Sequence, residues 1–533
     1  MSLQFITGNS GNGKTKYLFN RIVKEAKANP RDNYLVIVPE QFTMQTQRQL
    51  VDLSENKAIM NIDVLSFKRL AYRVFDELGI TNLTVLEETG KNLVLRKLAA
   101  QEADKLGVIG RNLNRIGYIS EVKSLLSELV QYNISPEELG RYIASGMLSD
   151  TLSDKLKDVL VLYEAFEKFM QDKYITAEEI LNVLSNVAEE SAILRNSVIA
   201  FDEFTGFTPI QNQLIKKLFV ISKKIYVTLT IDCREDIFKS RGMQELFDMP
   251  KRTVKSLTEM AAFYGIEVEE PIILDKNYRL AENEELSFME QQLFRKRRGS
   301  FKKAPKHIHI DCLRDPKQEL TKIARRINEL VRNENLRYRD IAIVTGDVNI
   351  YAGYVREIFD KYNIPYFIDA TQEILFHPFI EFIRSIPDIA AQNFSADAVF
   401  RFLRCGFSEL LDSEIDVLEN YVLACGVRGK SAWDKKWVRL PKHKAGYDLE
   451  LLNKSREYIM ELLKPVYQVF SDKKSTVKDY VLAIYKLIVL LDIPDKLAKK
   501  EQALLDAGDQ TASKEYGQIY KIVMQLFEKY VAV

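Results

Sequence analysis

The stretch from Gly8 to Thr15, GNSGNGKT, fits the phosphate-loop pattern G-x-x-x-x-G-K-[ST]. An apolar run, LQFIT, precedes it, and KYLFNRIVKEAKAN follows with helical spacing, so the motif lies between a strand and a helix. Lys14 should reach the β- and γ-phosphates of a nucleotide, and the Thr15 hydroxyl should ligate Mg²⁺. The alternative is a glycine-rich βα turn with an incidental lysine. The residues expected to bind the nucleotide are Gly8, Asn9, Ser10, Gly11, Asn12, Gly13, Lys14 and Thr15.

Two carboxylates follow a second apolar run, in SVIAFDEF. Asp202 and Glu203 stand at its end, and ligands of open α/β sheets bind at the carboxyl ends of the strands. We expect Asp202 to hold Mg²⁺ through water, together with Thr15, and Glu203 to polarise the attacking water. A solvated acidic turn is the alternative. The P-loop elsewhere in the chain favours the catalytic interpretation.

The composition indicates a globular protein of several domains. The chain has 533 residues, of which 46% are hydrophobic and 28% charged. A net charge of +1 excludes a global field that would attract nucleic acid or a membrane, so any such site must be local. We find no apolar run that could span a bilayer and no signal peptide. The scattered cysteines form no C-x-x-C pair, so we expect a reduced, cytoplasmic protein without membrane partners.

The elements that must position these residues follow a β-α-β-α order, which predicts an α/β fold with a doubly wound sheet. Strand texture returns at 197–204 and 224–232, after a stretch with heptad-like apolar spacing. We therefore assign residues 1–80 and 191–293 to a first domain that carries the P-loop. Residues 81–190 should form a helical insertion.

The second half of the chain is predicted to begin another α/β domain within residues 294–375. Apolar runs at 307–313, 341–348 and 364–369 are typical of its strands. Residues 376–533 read as helical and should form a second insertion. The final apolar helix ends without a cap, which suggests a fragment of a longer protein, although a native C-terminal helix can also end this way.

Three segments resemble motifs of UvrD-type superfamily 1 helicases. FDEFTGFTPIQ resembles motif II, DEFQD-x-x-P-x-Q, although Thr205 and Gly206 replace the Gln and Asp of the pattern. LTIDCREDIFKSRG is similar to motif III, with Glu235 in place of the glutamine that links the γ-phosphate to DNA. LDKNYR matches the L-x-x-NYR element, which implies that Tyr278 stacks on adenine and that Arg279 touches the γ-phosphate. The resemblance implies P-loop NTPase (RecA-like) domains with large helical insertions.

The departures from that helicase pattern point to one family. The glutamine motif before the P-loop, motif V and motif VI with its arginine finger have no counterpart in the chain. A P-loop close to the first residue, a weakened motif III and VPEQ after the second strand together resemble the AddB family. Its members are the B subunits of AddAB-type ATP-dependent helicase/deoxyribonucleases. The resemblance covers the whole chain and is strongest over 1–80 and 195–370.

The AddB resemblance implies a function, cofactors and partners. The chain would bind ATP and Mg²⁺, hold DNA as a duplex end and a single strand, and scan the strand for a recombination hotspot (Chi). An AddA-type helicase/nuclease subunit would form the heterodimer and supply the main motor. Family members also carry a C-terminal nuclease half with an iron–sulfur cluster, which we expect this fragment to lack. We therefore assign no [4Fe-4S] cluster to its cysteines, which are Cys233, Cys312, Cys405 and Cys425.

Two regions are candidates for DNA contact. VPEQFT and DVLSFKRLA stand where motifs Ia and Ib line the DNA channel, and polar side chains at loop tips can bind phosphates. Gln41, Thr43 and Ser66 are therefore predicted contacts. A basic run at 294–307 either contacts phosphates or forms a solvated linker. Its candidate arginines are Arg295, Arg297 and Arg298.

Three other functions remain open at this point. An autonomous superfamily 1 helicase would need the coupling glutamine and the arginine finger, which the chain does not supply. A scaffold with a structural ATP site would bind the nucleotide without turnover. A P-loop kinase would be a compact single domain, which the length and the NYR element disfavour. We expect ATP hydrolysis by Lys14, Asp202, Glu203 and Arg279 that is weak in the chain alone.

Overall fold

The computed structural model describes residues 1–81, 85–108, 110, 117–146, 148–170, 174–295, 299–369, 371, 373–441 and 446–532. The chain divides into two compact units, Met1–His309 and Ile310–Val533. Among the described residues, no helix is both long and apolar enough to cross a membrane.

A parallel, seven-stranded sheet forms the centre of the first unit. Its strands are β1 (Ser2–Gly8), β2 (Tyr34–Ile37), β3 (Ile62–Leu65), β6 (Val198–Phe201), β7 (Lys224–Thr230), β8 (Glu267–Val268) and β9 (Ile272–Leu274). The order is β3-β2-β6-β7-β1-β8, and β9 also pairs with β1. The strands predicted for the first domain are confirmed. The strands β8 and β9 were not predicted from the sequence, because runs this short carry no periodic signal.

Helices cover both faces of this sheet. The helices of the first unit are α1 (Lys14–Ala28), α2 (Thr43–Leu53), α3 (Phe67–Leu78), α4 (Glu88–Gln101), α5 (Tyr118–Gln131), α6 (Pro136–Ala144), α7 (Asp150–Met170), α8 (Ile180–Val187), α9 (Pro209–Ile221), α10 (Asp248–Phe263) and α11 (Glu284–Gln292). Alternate residues of β1 face opposite sides: Leu3 and Phe5 pack with α3, α8, α9 and α10, whereas Ile6 packs with α1 and α2. Both faces are therefore buried, which explains the continuous apolar runs of the parallel strands.

The stretch predicted as a helical insertion is mainly helical in its described part. It contains α4 to α8 and one short parallel pair, β4 (Val85–Leu86) with β5 (Ile175–Thr176). The Lys91 side chain is buried within it and pairs with Glu88 at 2.9 Å and Glu178 at 2.6 Å. A buried ammonium needs such partners, since an unpaired charge in this environment would be costly.

The second unit is helical throughout its assigned elements. Its helices are α12 (Pro316–Asn333), α13 (Val348–Lys361), α14 (Pro378–Ala391), α15 (Ala396–Leu403), α16 (Asp412–Cys425), α17 (Lys430–Asp434), α18 (Leu449–Ser471), α19 (Val477–Leu490), α20 (Ile493–Asp506) and α21 (Gln510–Ala532). The helices from α14 onward share one apolar core that includes Phe379, Phe382 and Trp433. The prediction of a helical region beyond residue 375 is confirmed.

The three strands predicted at 307–313, 341–348 and 364–369 are wrong for this structure. These segments carry no strand pairing, and α13 begins within the second of them. They expose apolar side chains: Ile310 is 94%, Val344 91% and Phe367 89% exposed. A strand exists only where a neighbour accepts and donates its backbone hydrogen bonds, and an apolar run cannot supply that neighbour.

Candidate nucleotide site

The P-loop joins β1 to α1 at the carboxyl edge of the sheet. Gly8 ends β1 and lies beside Thr230 of β7 in the strand register. Gly13 precedes the first residue of α1 with a left-handed φ of 80°, which glycine adopts without strain. The ammonium of Lys14 donates to the carbonyl oxygen of Asn9 at 3.1 Å. The lysine side chain therefore forms a hydrogen bond within its own loop. The loop lies between a strand and a helix, as the sequence predicted.

The segment at 274–279, which contains the NYR sequence, forms hydrogen bonds with this loop. Asn277 donates to the Ser10 carbonyl oxygen at 2.9 Å, and the Tyr278 amide donates to the Gly11 carbonyl oxygen at 3.0 Å. The Asn12 side chain donates to the Leu274 carbonyl oxygen at 2.5 Å. These three hydrogen bonds hold the loop against the segment 274–279.

Gly11 is required by this close approach. Its φ is 88°, and a Cβ there would lie 2.8 Å from both Arg279 Cβ and Asn277 Oδ1. We expect Gly11→Ala to lower the free energy of unfolding by about 3 kcal/mol, from left-handed strain plus overlap. Gly79→Ala is the matched control, because Gly79 has a φ of 69° with open space around it. It should cost about 1 kcal/mol. Equal losses in urea denaturation would contradict the steric explanation.

The predicted acidic partner lies opposite the loop. The Thr15 hydroxyl is 3.3 Å from Asp202 Oδ1 and 3.4 Å from Glu203 Oε1. Thr228 of β7 also donates to Asp202 Oδ1. Glu203 has a φ of 64°, the left-handed region that side chains rarely adopt. Such strain clusters at functional sites and here accompanies the turn of the carboxylate toward the P-loop.

Burial sets the electrostatics of the site. Burial lowers the pKa of Lys14, while Glu203 and Asp202 oppose that shift. Burial also raises the pKa of Asp202, against the hydrogen bonds from Thr228 and Thr15. Its Oδ2 is buried and has no hydrogen-bond partner among the described residues. A nearby cation would stabilise the ionised carboxylate at this buried position.

The loop and the carboxylates line one cleft of about 690 Å³, a volume typical of small-ligand sites. Tyr278 and Arg279 line it as well. Tyr278 is 65% exposed, and the centre of its ring lies 5.1 Å from the Lys276 ammonium. The cleft therefore brings together most of the residues predicted for nucleotide binding and catalysis: Ser10, Gly11, Gly13, Lys14 and Thr15 with Asp202, Glu203, Tyr278 and Arg279. Gly8, Asn9 and Asn12, the other predicted loop residues, do not line it, and the Asn9 and Asn12 side chains are buried.

Glu235, which replaces the coupling glutamine of the helicase pattern, is held by a buried lysine. Lys251 of α10 is 4% exposed and pairs with Glu235 at 2.7 Å and with Glu245 at 3.2 Å. Burial opposes protonation of Lys251, but the hydrogen bonds that its ammonium donates to these carboxylates raise its pKa overall. The side chain at this position is thus tied to α10.

Arg295, a predicted DNA contact, lies in a buried ion-pair network. Its side chain is 8% exposed, and its guanidinium is 2.9 Å from Asp232 and 3.4 Å from Glu290. It also stands 4.6 Å from the centre of the Phe247 ring. This environment favours a structural role for Arg295. Arg297 and Arg298, the other predicted arginines, lie outside the described residues.

We expect Arg295→Ala to lower the free energy of unfolding by about 2–3 kcal/mol, because two carboxylates lose a buried partner. Burial opposes ionisation of Asp232, but hydrogen bonds from Arg234 and Arg295 lower its pKa overall. This stabilisation is complete above about pH 4, the ordinary Asp pKa, and is lost only in stronger acid.

Urea denaturation of the Arg295→Ala variant at neutral pH measures this loss. Lys303→Ala is the control, because its pair with Glu284 is exposed on both sides and should contribute below about 1 kcal/mol. A stable Arg295→Ala variant with weakened DNA binding would support the DNA contact instead.

The polar residues predicted in the Ia and Ib regions have internal partners. The Thr43 hydroxyl donates to the Glu40 carbonyl oxygen at 3.0 Å. Ser66 caps α3 by accepting from the Arg69 amide at 3.3 Å, and its hydroxyl donates to the Glu40 carboxylate. Both side chains are buried, whereas Gln41 is exposed. Of these predicted contacts, Gln41 alone keeps its side chain open to a ligand.

Residues that were not predicted from the sequence support the site from other elements. Thr228 donates to Asp202, Asn277 donates to the Ser10 carbonyl oxygen, and Glu290 accepts the side-chain amide of Asn9 at 2.9 Å. Asn277 stands inside the NYR sequence, which could have suggested a role. The Thr208–Gln211 capping box at the start of α9 was also readable, since T-P-I-Q fits the pattern S/T-x-x-E/Q.

Comparison with known proteins identifies relatives along the whole chain. A family model described as "ADDB, N-terminal" matches residues 5–290. The chain is 38% identical to the B subunit of the ATP-dependent helicase/deoxyribonuclease of Lachnoclostridium phytofermentans, over 100% of this chain and 47% of the relative. The proteins of the same name from Clostridium acetobutylicum and Clostridioides difficile are 32% and 31% identical, with the same coverage.

The chain therefore spans about half the length of these curated relatives. The family match covers the P-loop, the carboxylates after β6 and the NYR segment, which are the parts that meet at the cleft. These matches agree with the resemblance seen in the sequence motifs, and the chain belongs to the family described as ADDB, N-terminal.

Proposed function

We propose that this chain is the helicase-like part of the B subunit of a heterodimeric ATP-dependent helicase/exonuclease, which processes double-strand DNA breaks for recombination. Family membership supports the assignment to a B subunit, and the helicase/deoxyribonuclease activity is taken from the names of the relatives. The observation that carries the nucleotide site is the convergence of Lys14, Thr15, Asp202 and Glu203 in one cleft. The first unit would then be a RecA-like domain.

The residues present fit Mg²⁺ with a nucleoside triphosphate. The Thr15 hydroxyl and the Asp202 carboxylate, whose Oδ2 has no partner among the described residues, would offer the oxygen donors that Mg²⁺ prefers. When bound, Mg²⁺ would neutralise charge on the phosphates. Lys14 would leave the Asn9 carbonyl oxygen to reach the phosphates, and Arg279 would add a second positive charge. Glu203 would orient the attacking water.

A groove beside the cleft is our candidate for single-stranded DNA. It lies at the carboxyl ends of β2 and β3 and is lined by Lys68, Arg69, Tyr72, Phe204 and Gln211 among others. Tyr72 is 39% exposed and could stack on a base, while Lys68 is exposed and could bind a phosphate. We also propose that the chain scans the strand for Chi and forms a heterodimer with an AddA-type partner. Only the family membership supports these two parts of the proposal.

One assay separates the proposed function from its alternatives. ATP binding and turnover are measured for the 533-residue chain, with and without single-stranded DNA. We expect binding with weak turnover, because Glu235 is tied to Lys251 in place of a coupling glutamine. Strong DNA-stimulated turnover would favour an autonomous helicase, and binding without turnover would favour a scaffold.

The DNA groove is tested by affinity for a labelled single strand at several salt concentrations. Tyr72→Ala and Lys68→Ala should weaken binding, the second with a smaller salt dependence. Thr43→Ala is the control, because its hydroxyl is already bound to the Glu40 carbonyl oxygen. Equal affinities for all of these variants would reject the groove.

A further inference from the structure

Helix α11 bears two carboxylates that bind different parts of the first unit. Glu285, near its start, is 8% exposed and accepts the amides of Lys306 at 2.6 Å and His307 at 2.9 Å. Glu290, near its end, accepts the side-chain amide of Asn9 at 2.9 Å. One short helix therefore contacts both the P-loop and the segment 299–309, which we call the linker because it precedes the second unit.

Asn9 is the point at which the loop is attached. Its side chain is 5% exposed, donates to Glu290 and accepts the Cys233 amide at 2.9 Å. Its carbonyl oxygen holds the Lys14 ammonium at 3.1 Å. Asn9 thus forms hydrogen bonds with Lys14, with the Cys233 amide after β7 and with Glu290 of α11.

Ion pairs hold the C-terminal end of α11, where Glu290 lies. Arg295 pairs with Glu290 at 3.4 Å and with Asp232 at 2.9 Å, and Asp232 also binds Arg234 at 2.5 Å. Glu290 is 18% exposed and Asp232 2% exposed at the side chain. Because these charges are poorly solvated, rotating Glu290 away from Asn9 would also disturb a buried ion pair.

The linker is held by α11 at more than one place. Besides the bonds from Glu285, Phe288 of the helix lies 5.4 Å from Phe301 between ring centres. An exposed pair between Glu284 and Lys303 joins them as well, with side chains 71% and 70% exposed. The buried contacts carry most of this attachment, since exposed pairs contribute little.

We propose that α11 is a positioning element that couples nucleotide occupancy of the P-loop to the order of the linker. The inference rests on the proposed nucleotide binding. Phosphate binding draws Lys14 from the Asn9 carbonyl oxygen and immobilises the loop, including the Asn9 side chain that holds Glu290. With α11 fixed at Glu290, the hydrogen bonds that the linker amides donate to Glu285 open less often. By linkage, breaking those bonds weakens nucleotide binding in turn.

Hydrogen exchange of the 533-residue chain tests this directly, because the Lys306 and His307 amides are the groups that Glu285 binds. Exchange is followed by mass spectrometry with and without a non-hydrolysable ATP analogue and Mg²⁺. We expect about tenfold slower exchange at these amides when the analogue is bound, a typical allosteric coupling. In Glu290→Met at saturating analogue, this protection should be lost, because methionine offers the Asn9 side-chain amide no comparable acceptor.

Matched variants control for folding and for general effects. Asn9→Ala removes the donor of the same hydrogen bond and should also abolish the protection at saturating analogue, even if Glu290→Met fails to fold. Glu284→Gln removes only the exposed pair and should keep it. Glu285→Gln should raise the dissociation constant of the analogue although it lies outside the cleft.

Two failures are distinguishable. If the wild-type chain binds no analogue in calorimetry, the proposed nucleotide site is overturned, and the coupling with it. If the analogue binds but exchange at 306 and 307 is unchanged, or if Asn9→Ala keeps the protection, only the role of α11 is overturned.

Discussion

Replacing Lys14 by alanine should raise the dissociation constant for Mg²⁺–ATP, and lower ATP turnover, by at least about a hundredfold. Lys14 is the ammonium at the floor of the cleft, and it donates to a loop carbonyl oxygen that a phosphate oxygen would replace. Its loss removes a charge-assisted contact in a partly buried site, where such contacts are strongest.

The same variant should keep the thermal stability of the wild type. The Lys14 ammonium donates to the Asn9 carbonyl oxygen, but its burial is unfavourable, as its lowered pKa shows. Calorimetric titration and thermal unfolding measure the two effects separately. Lys24→Ala, an exposed lysine of the same helix, is the control and should bind as the wild type does. Near-normal binding by Lys14→Ala would refute the P-loop assignment.

Asp202→Asn should abolish Mg²⁺-dependent turnover, by at least about a hundredfold, while stabilising the protein in the absence of Mg²⁺. Burial raises the pKa of Asp202, so its ionised form costs folding free energy at neutral pH. The asparagine side chain has a similar shape and removes that charge. The unfolding temperature should therefore rise for the variant, although catalysis is lost.

The pH dependence follows from the direction of that shift. Below about pH 4, the ordinary Asp pKa, the carboxyl is protonated in both states and the charge costs nothing. As the pH rises through the raised pKa of the folded state, the advantage of the asparagine variant grows to its full value.

Thermal unfolding at several pH values, with and without Mg²⁺–nucleotide, checks the Asp202 prediction. Mg²⁺–nucleotide should raise the unfolding temperature of the wild type and leave that of Asp202→Asn unchanged. Asp76→Asn, at an exposed position of α3, serves as the control. A wild-type response in Asp202→Asn would remove Asp202 from the metal site.

Much of the candidate site could be predicted because its chemistry is local in the sequence. GNSGNGKT encodes its own turn through glycines at positive φ, and the strand and helix on either side follow from apolar spacing. Asp202 and Glu203 follow a run whose burial in a parallel sheet was readable from its composition. The carboxyl edge of such a sheet then brings them to the loop.

Where the structure departs from the sequence-based expectations, the differences concern partners rather than local conformation. Apolar runs at 341–348 and 364–369 look like strands, but no sequence pattern shows whether a neighbouring strand exists. Thr43 and Ser66 were predicted to be open to DNA, and the fold supplies Glu40 to both. Arg295 was read as part of a basic run, and the fold surrounds it with Asp232 and Glu290.

The sequence by itself determined the family, the parallel α/β unit and the loop that fits the phosphate-binding pattern, because each depends on residues that are neighbours in the chain. Only the tertiary structure decided which distant side chains hold that loop. Asn9 meets Glu290, and Gly11 meets the NYR segment, across more than two hundred residues. Such contacts arise from the packing of whole elements, and burial then makes each charged or polar group depend on the partner that packing provides.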